Sequence, residues 1–270
     1  MDHVTSADGT RIAYDKQGQG PAVVLVAGAF SYRRFPGLLE LSTLLSEHFT
    51  VYNYDRRGRG DSDDKQPHTT GREVEDLAAI VQAAGGEATA WGLSSGAVLA
   101  LHAARAGVGL TRLALYEPPF VTTEAGHPPH DFAEHLTSLI SQGKRGEAVK
   151  YFMTRGMGAP GFVIPMMRIM PGVWKRLTSV AHTLPYDAAL LEGHLNGEAL
   201  TDFSTVGLPT LVLSGGKSAK SLQQAAKDLA DALPQARHRT LDGQNHNVSM
   251  KVLAPVVAEF LRSPAPASRR

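Results

Sequence analysis

The stretch Gly92-Leu93-Ser94-Ser95-Gly96 sets two hydroxyls between two residues without side chains. A serine hydroxyl can attack a carbonyl carbon when a neighbouring base takes its proton. Such a serine works best on a sharp turn between a strand and a helix. That turn crowds the residues two before and two after it. Counting two either way from Ser94 gives Gly92 and Gly96, whereas Ser95 is flanked by Leu93 and Ala97. The glycines therefore select Ser94 as the nucleophile. Ser95 then opens the helix, where free N–H groups and the helix dipole favour a developing oxyanion.

That chemistry needs a strand before the turn and a helix after it, and the surrounding pattern supplies both. "EATAWG" reads as a strand and Gly96 to Ala106 as a helix. Upstream, "HVTS" and "RIAYDKQG" flank an Asp8-Gly9 step and predict an antiparallel hairpin. "PAVVLVAG" is a short apolar run suited to a strand buried on both faces. A helix with Leu38, Leu41, Leu44 and Leu45, a strand "FTVYNYD", a helix around Val74 to Ala84 and a strand "TRLALYE" continue the alternation. Strand and helix taking turns predict a parallel sheet covered by helices. From 120 to 204 only helical patterns appear, among them "VWKRLTSVAHTL"; the alternation then resumes with "LPTLVLSGG". The expected organisation is a core of residues 1–119 and 205–262, an inserted helical cap over 120–204, and a disordered tail at 263–270.

The 270 residues, 43% hydrophobic and 20% charged, suffice for one sizeable core. A net charge of +1 without a long basic run gives no reason to expect nucleic acid or an anionic membrane. The absence of cysteine removes disulfides, thiolate metal sites and cysteine nucleophiles. The N-terminus has no charged region followed by an apolar run, so no signal peptide and a cytoplasmic location are expected. Gly18 and Gly20 precede a strand and open no helix, so they form no dinucleotide loop. The expectation is no cofactor, no metal, a small-molecule substrate, and a monomer or homodimer.

With "GLSSG" and the loop Tyr54 to Ser62, "YDRRGRGDS", the sequence resembles the α/β-hydrolase family over nearly its whole length. The resemblance implies a mostly parallel sheet of about eight strands with helices on both faces and an inserted helical cap. It makes the "YDRRGRGDS" loop chiefly structural, with its Arg59-Gly60-Asp61 letters incidental. It also implies a catalytic His after the last strand, where "LDGQNHNV" offers His246. Other histidines, such as His102 and His238, read as surface or packing residues. The first parallel strand ends in Val26-Ala27-Gly28 and lacks the His that this family usually carries there. The second oxyanion donor is a backbone N–H, that of Ala29 or alternatively Phe30. Phe30 and Tyr32 either border the acyl pocket or simply pack.

The family's usual acid, an Asp just after the strand that follows the cap, is missing: Gly215, Gly216, Lys217 and Ser218 stand there. Some members carry the acid at the end of the strand after the nucleophile helix. In this chain that residue is Glu117. A carboxylate there would hold the base in its working tautomer; the alternatives are that Glu117 only borders the cleft, or that Asp242 serves. Five of the seven methionines lie in the cap. Met153, Met157, Met166 and Met167, with Trp174, are candidates to line an apolar substrate pocket or to pack the lid. The expected activity is serine hydrolysis of a small to medium apolar ester, thioester or lactone. C–C hydrolysis, perhydrolysis or a lyase reaction with the same residues, and a non-catalytic ligand-binding protein, are the alternatives.

Overall fold

A computed structural model describes residues 1–122, 127–170, 172–194 and 200–263. Its centre is a sheet of eight strands: β1 (Asp2–Thr5), β2 (Arg11–Gln17), β3 (Ala22–Val26), β4 (Thr50–Tyr54), β5 (Ala88–Leu93), β6 (Leu110–Tyr116), β7 (Thr210–Gly215) and β8 (Ala236–Leu241). Their order is β1-β2-β4-β3-β5-β6-β7-β8. The β1–β2 hairpin and the β2–β4 pair are antiparallel; every other pair is parallel. The inner strands are mainly apolar because both faces are covered. Val24, Val26, Leu113 and Val212 face one helical layer, while Val23, Leu25, Ala114 and Leu213 face the other, as the two-residue period of a strand demands. The first layer includes α2 (Thr70–Ala83), α3 (Ser95–Arg105) and α9 (Lys220–Ala232). The second holds α1 (Pro36–Leu45) and α10 (Met250–Arg262).

α2 starts a turn earlier than its apolar period suggests. Its first turn is polar and is fixed by Thr69, whose hydroxyl accepts from the Arg72 N–H at 3.2 Å.

Between Tyr116 and Thr210 the described residues form helical segments only. They are α4 (Phe132–Ser141), α5 (Arg145–Tyr151) running into a π-type turn at Phe152–Gly156, α6 (Val163–Ile169), α7 (Val173–Ser179), α8 (Leu184–Ala189), and two short 3-10 helices at Ala181–Thr183 and Leu200–Phe203. The stretch expected as one helix, "VWKRLTSVAHTL", is divided. It breaks at Val180 and restarts as α8, whose first turn accommodates Pro185. These helices share their own apolar cluster of Phe132, Leu136, Val149, Met153, Ile164 and Leu184. Ala29 and Phe30, just past β3, pack against it. The helical segment thus sits over the carboxyl ends of the parallel strands. Residues 264–270 of the expected disordered tail lie outside the described residues, and Ser263 closes α10.

Candidate active site

β5 passes into α3 through Ser94, which has φ 54° and ψ −126°. Such a backbone costs a residue with a Cβ about 1–3 kcal/mol and persists only where its surroundings impose it. The two glycines of the turn have no room for more. A Cβ on Gly92 would stand 2.6 Å from the Ala97 Cα, and one on Gly96 would collide with the Val26 carbonyl oxygen. Gly28, at the end of β3, is equally confined: its Cβ would lie 2.7 Å from the Leu93 oxygen and 3.1 Å from the Ser94 Cβ. The loop bearing Ala29 therefore runs directly beside the serine. Ser95 is the first residue of α3, so its N–H has no partner within the helix.

Glu117 follows β6 with φ 46° and is fully buried. Its N–H donates to the Leu213 carbonyl at 2.9 Å. One carboxylate oxygen accepts from the Gly215 N–H and the other lies against His246 Nδ1, both at 2.7 Å. A carboxylate only accepts, so Nδ1 carries the proton and a neutral ring keeps its lone pair on Nε2. The loop holding His246 is fastened twice. The Tyr116 hydroxyl donates to the Asn245 carbonyl and the Lys217 N–H to the Gln244 carbonyl, both at 2.7 Å. Burial pushes the Tyr116 phenol above its ordinary range, which keeps it a donor. Asp242 is exposed, and Glu117 occupies the ring nitrogen it would have needed.

Among the described residues, three non-glycine residues adopt a left-handed φ: Phe30, Ser94 and Glu117. Ser94 and Glu117 come together where the Ser94 N–H donates to the Tyr116 carbonyl at 2.9 Å, and Phe30 lies two residues beyond Gly28, whose Cβ would meet the Ser94 side chain. Backbone strain clusters where geometry is imposed for function.

The aromatic and methionine candidates separate. Phe30 meets Phe152 edge to face at 5.4 Å, and Phe152 lies 5.7 Å from Phe132. Met153 is buried in the same cluster, with Met167 and Trp174 packed on it. Met157 and Met166 instead stand half exposed. His102 and His238 are bound into the framework, 2.9 Å from the Leu190 oxygen and the Ser214 hydroxyl respectively.

Behind the turn lie residues whose function sequence reasoning left undeveloped. Arg56, Arg57 and Arg59 are each at most 1% exposed. Arg56 grips Glu73 with two N–H groups at 2.6 and 2.8 Å, and Arg57 grips Asp76 with two at 2.7 Å. Burial works to raise the Glu73 pKa, but Arg56 and His68 outweigh it and hold the carboxyl well below its usual range. The Arg59-Gly60-Asp61 letters present no adhesion surface, because Arg59 is internal.

The sequence pattern of the "Alpha/beta hydrolase family" matches residues 23–259. The chain belongs to that family. An alpha/beta hydrolase from Sphaerobacter thermophilus DSM 20745 is similar at 46% identity and a TM-score of 0.89, over 96% of this chain and 99% of the other. More distant are an enol-lactonase from Burkholderia xenovorans LB400 (20% identity, TM-score 0.70, 97% and 100% covered) and a thermophilic esterase from Thermogutta terrifontis (23%, 0.64, 97% and 97%). At those identities the likeness is one of fold. No helix among the described residues of this hydrolase is long and apolar enough to cross a membrane.

Proposed function

We propose that this hydrolase cleaves small to medium apolar carboxylic esters, thioesters or lactones through an acyl-enzyme on Ser94. The observation that carries the proposal is the 2.7 Å contact between the buried Glu117 carboxylate and His246 Nδ1, with the strained Ser94 bonded through its N–H to the carbonyl of Tyr116, the residue before Glu117, at 2.9 Å. In the proposed sequence Ser94 Oγ attacks the carbonyl carbon while His246 Nε2 takes its proton. Charge gathers on the carbonyl oxygen, which receives the N–H groups of Ser95 and Ala29. The tetrahedral intermediate collapses, and the imidazolium returns the proton to the departing alcohol or thiol. Water then repeats the steps on the acyl-serine, releasing the acid and restoring Ser94. Glu117 keeps Nδ1 protonated and stabilises the imidazolium; it remains a carboxylate throughout.

Ala29 and Phe30 pack against the apolar cluster that includes Phe152 and Met153, and an apolar surround beside the proposed oxyanion donor favours an apolar acyl group. Two distant structural neighbours named for ester and enol-lactone hydrolysis agree in chemistry. The test is labelling by a fluorophosphonate, with the modified residue found by mass spectrometry. Ser94 carries the label, and Ser94→Ala loses both label and p-nitrophenyl ester hydrolysis. Unchanged labelling of Ser94→Ala overturns the proposal. Parallel assays with a β-diketone and for peracid formation separate ester hydrolysis from the other chemistries of the fold.

A further inference from the structure

The Asp187 carboxylate belongs to α8, in the helical segment above the sheet, yet it is 1% exposed and reaches the base of the nucleophile turn. Its Oδ1 accepts from Ser95 Oγ at 2.7 Å, Arg56 Nη1 at 2.7 Å and Arg59 Nη2 at 2.9 Å, while Oδ2 accepts from Arg59 Nη2 at 2.7 Å. The two guanidiniums continue outward to one stretch of backbone. Arg56 donates to the Ala27 carbonyl at 3.2 Å, and Arg59 donates to those of Gly28 at 2.7 Å and Ser31 at 3.2 Å. That stretch, 27–31, carries Ala29. One carboxylate thus ties down, directly or through one guanidinium, both pieces of chain that bear the proposed oxyanion donors.

Ion pairs this deep are a poor source of stability, because well-packed apolar side chains of similar volume would serve as well. They do fix geometry, and an oxyanion hole depends on donors held within about half an ångström of their working positions. We infer that Asp187 is a positioning residue for the oxyanion hole, acting through the Ser95 hydroxyl and the Arg56 and Arg59 guanidiniums. The inference rests on the reading of Ser95 and Ala29 as oxyanion donors. Its consequence is that the seating of α8 on the core sets the activity of the hole, so a change that loosens this contact alone lowers turnover.

The experiment measures kcat and KM for p-nitrophenyl butyrate per phosphonate-titrated site, beside the melting temperature. Ser95→Ala keeps the backbone N–H and removes only the tether. It lowers kcat about three- to tenfold with KM unchanged, and the rate of phosphonate labelling falls in parallel. Asp187→Asn, which also takes the carboxylate from Arg59 while Arg56 keeps Glu73, lowers kcat about a hundredfold. Wild-type kcat per titrated site in Ser95→Ala and Asp187→Asn, whatever happens to the melting temperature, overturns the inference and shows a purely structural ion cluster. If Asp187→Asn fails to fold, Ser95→Ala decides alone. Failure of the underlying hydrolase reading looks different: Ser94→Ala then hydrolyses the ester as fast as the wild type.

Discussion

Replacing Glu117 by glutamine keeps the shape of the side chain and reverses the logic of its hydrogen bonds. Gly215 offers only an N–H to this side chain, so the amide oxygen must face Gly215. The amide NH2 is then directed at His246 Nδ1, 2.7 Å away in the parent protein. The ring answers by accepting at Nδ1 and carrying its proton on Nε2, where no lone pair remains for Ser94. Flipping the amide restores the tautomer but sets two donors face to face in a site with no water contact, a loss of about 1–3 kcal/mol. The imidazolium also forfeits its carboxylate partner, worth about 1.5–3 kcal/mol for a charge-assisted bond. Together these come to about 2.5–6 kcal/mol, or about two to four decades in rate at about 1.4 kcal/mol per decade. The expected result for Glu117→Gln is a kcat for p-nitrophenyl butyrate about 10²- to 10⁴-fold lower, with KM within a few-fold of wild type. Calorimetry establishes that the variant is folded. A folded Glu117→Gln enzyme with kcat within tenfold of wild type refutes the assignment of Glu117 as the acid.

The strain at Ser94 predicts that Ser94→Gly is inactive yet more stable. Relief of about 1–3 kcal/mol less a glycine entropy cost of about 0.5–1 kcal/mol leaves a net gain of about 1 kcal/mol, read as a melting temperature above that of Ser94→Ala; equal values contradict it. His102 carries a pH dependence of stability. Burial holds its folded pKa below the ordinary value, even though its bond to the Leu190 carbonyl works the other way. The unfolded chain therefore takes up a proton first: the contribution is fully present above about pH 6.5 and is lost as pH falls through the folded pKa. The melting temperature of wild type should drop more steeply between pH 7 and 5 than that of His102→Gln; parallel curves argue against it.

What was legible in the sequence follows from how local each signal is. The alternation of short apolar runs with helical patterns reports the sheet, because a strand covered on both faces has no polar side to hide. The turn at Ser94 is legible for a similar reason. Gly92 is confined by Ala97 and Gly96 by Val26 and Ala27 at the end of β3, yet both demands fall two residues either side of Ser94, so the pattern is written into five consecutive residues. His246 and Glu117 are 129 residues apart, and their pairing was reached through family resemblance and not through any pattern in the chain. Asp187 had no comparable signal. Charged residues are ordinarily solvated, and nothing near Leu184–Ala189 indicates partners at Arg56 and Arg59. Helical methionines behave likewise: periodicity marks an apolar face without naming what it meets, so Met153 and Met167 joined the cluster while Met157 and Met166 did not.

The empty position after β7 has a physical explanation in the same geometry. A Cβ on Gly215 would stand 2.5 Å from the Gln244 carbonyl oxygen, so the loop that carries His246 rests directly on the end of this strand. The Lys217 N–H then bonds that same carbonyl. Backbone packing has taken the space from which a short acidic side chain would otherwise approach the imidazole. β6 is the neighbouring strand, with Tyr116 beside Leu213, and adjacent strands lie only about 4.8 Å apart. A glutamate one residue beyond Tyr116, with one more methylene than aspartate, spans that gap. Its carboxylate then takes the Gly215 N–H as a fixed donor on one oxygen and His246 on the other. The glycine that leaves no room for an acid on β7 is therefore also the residue that orients the acid arriving from β6.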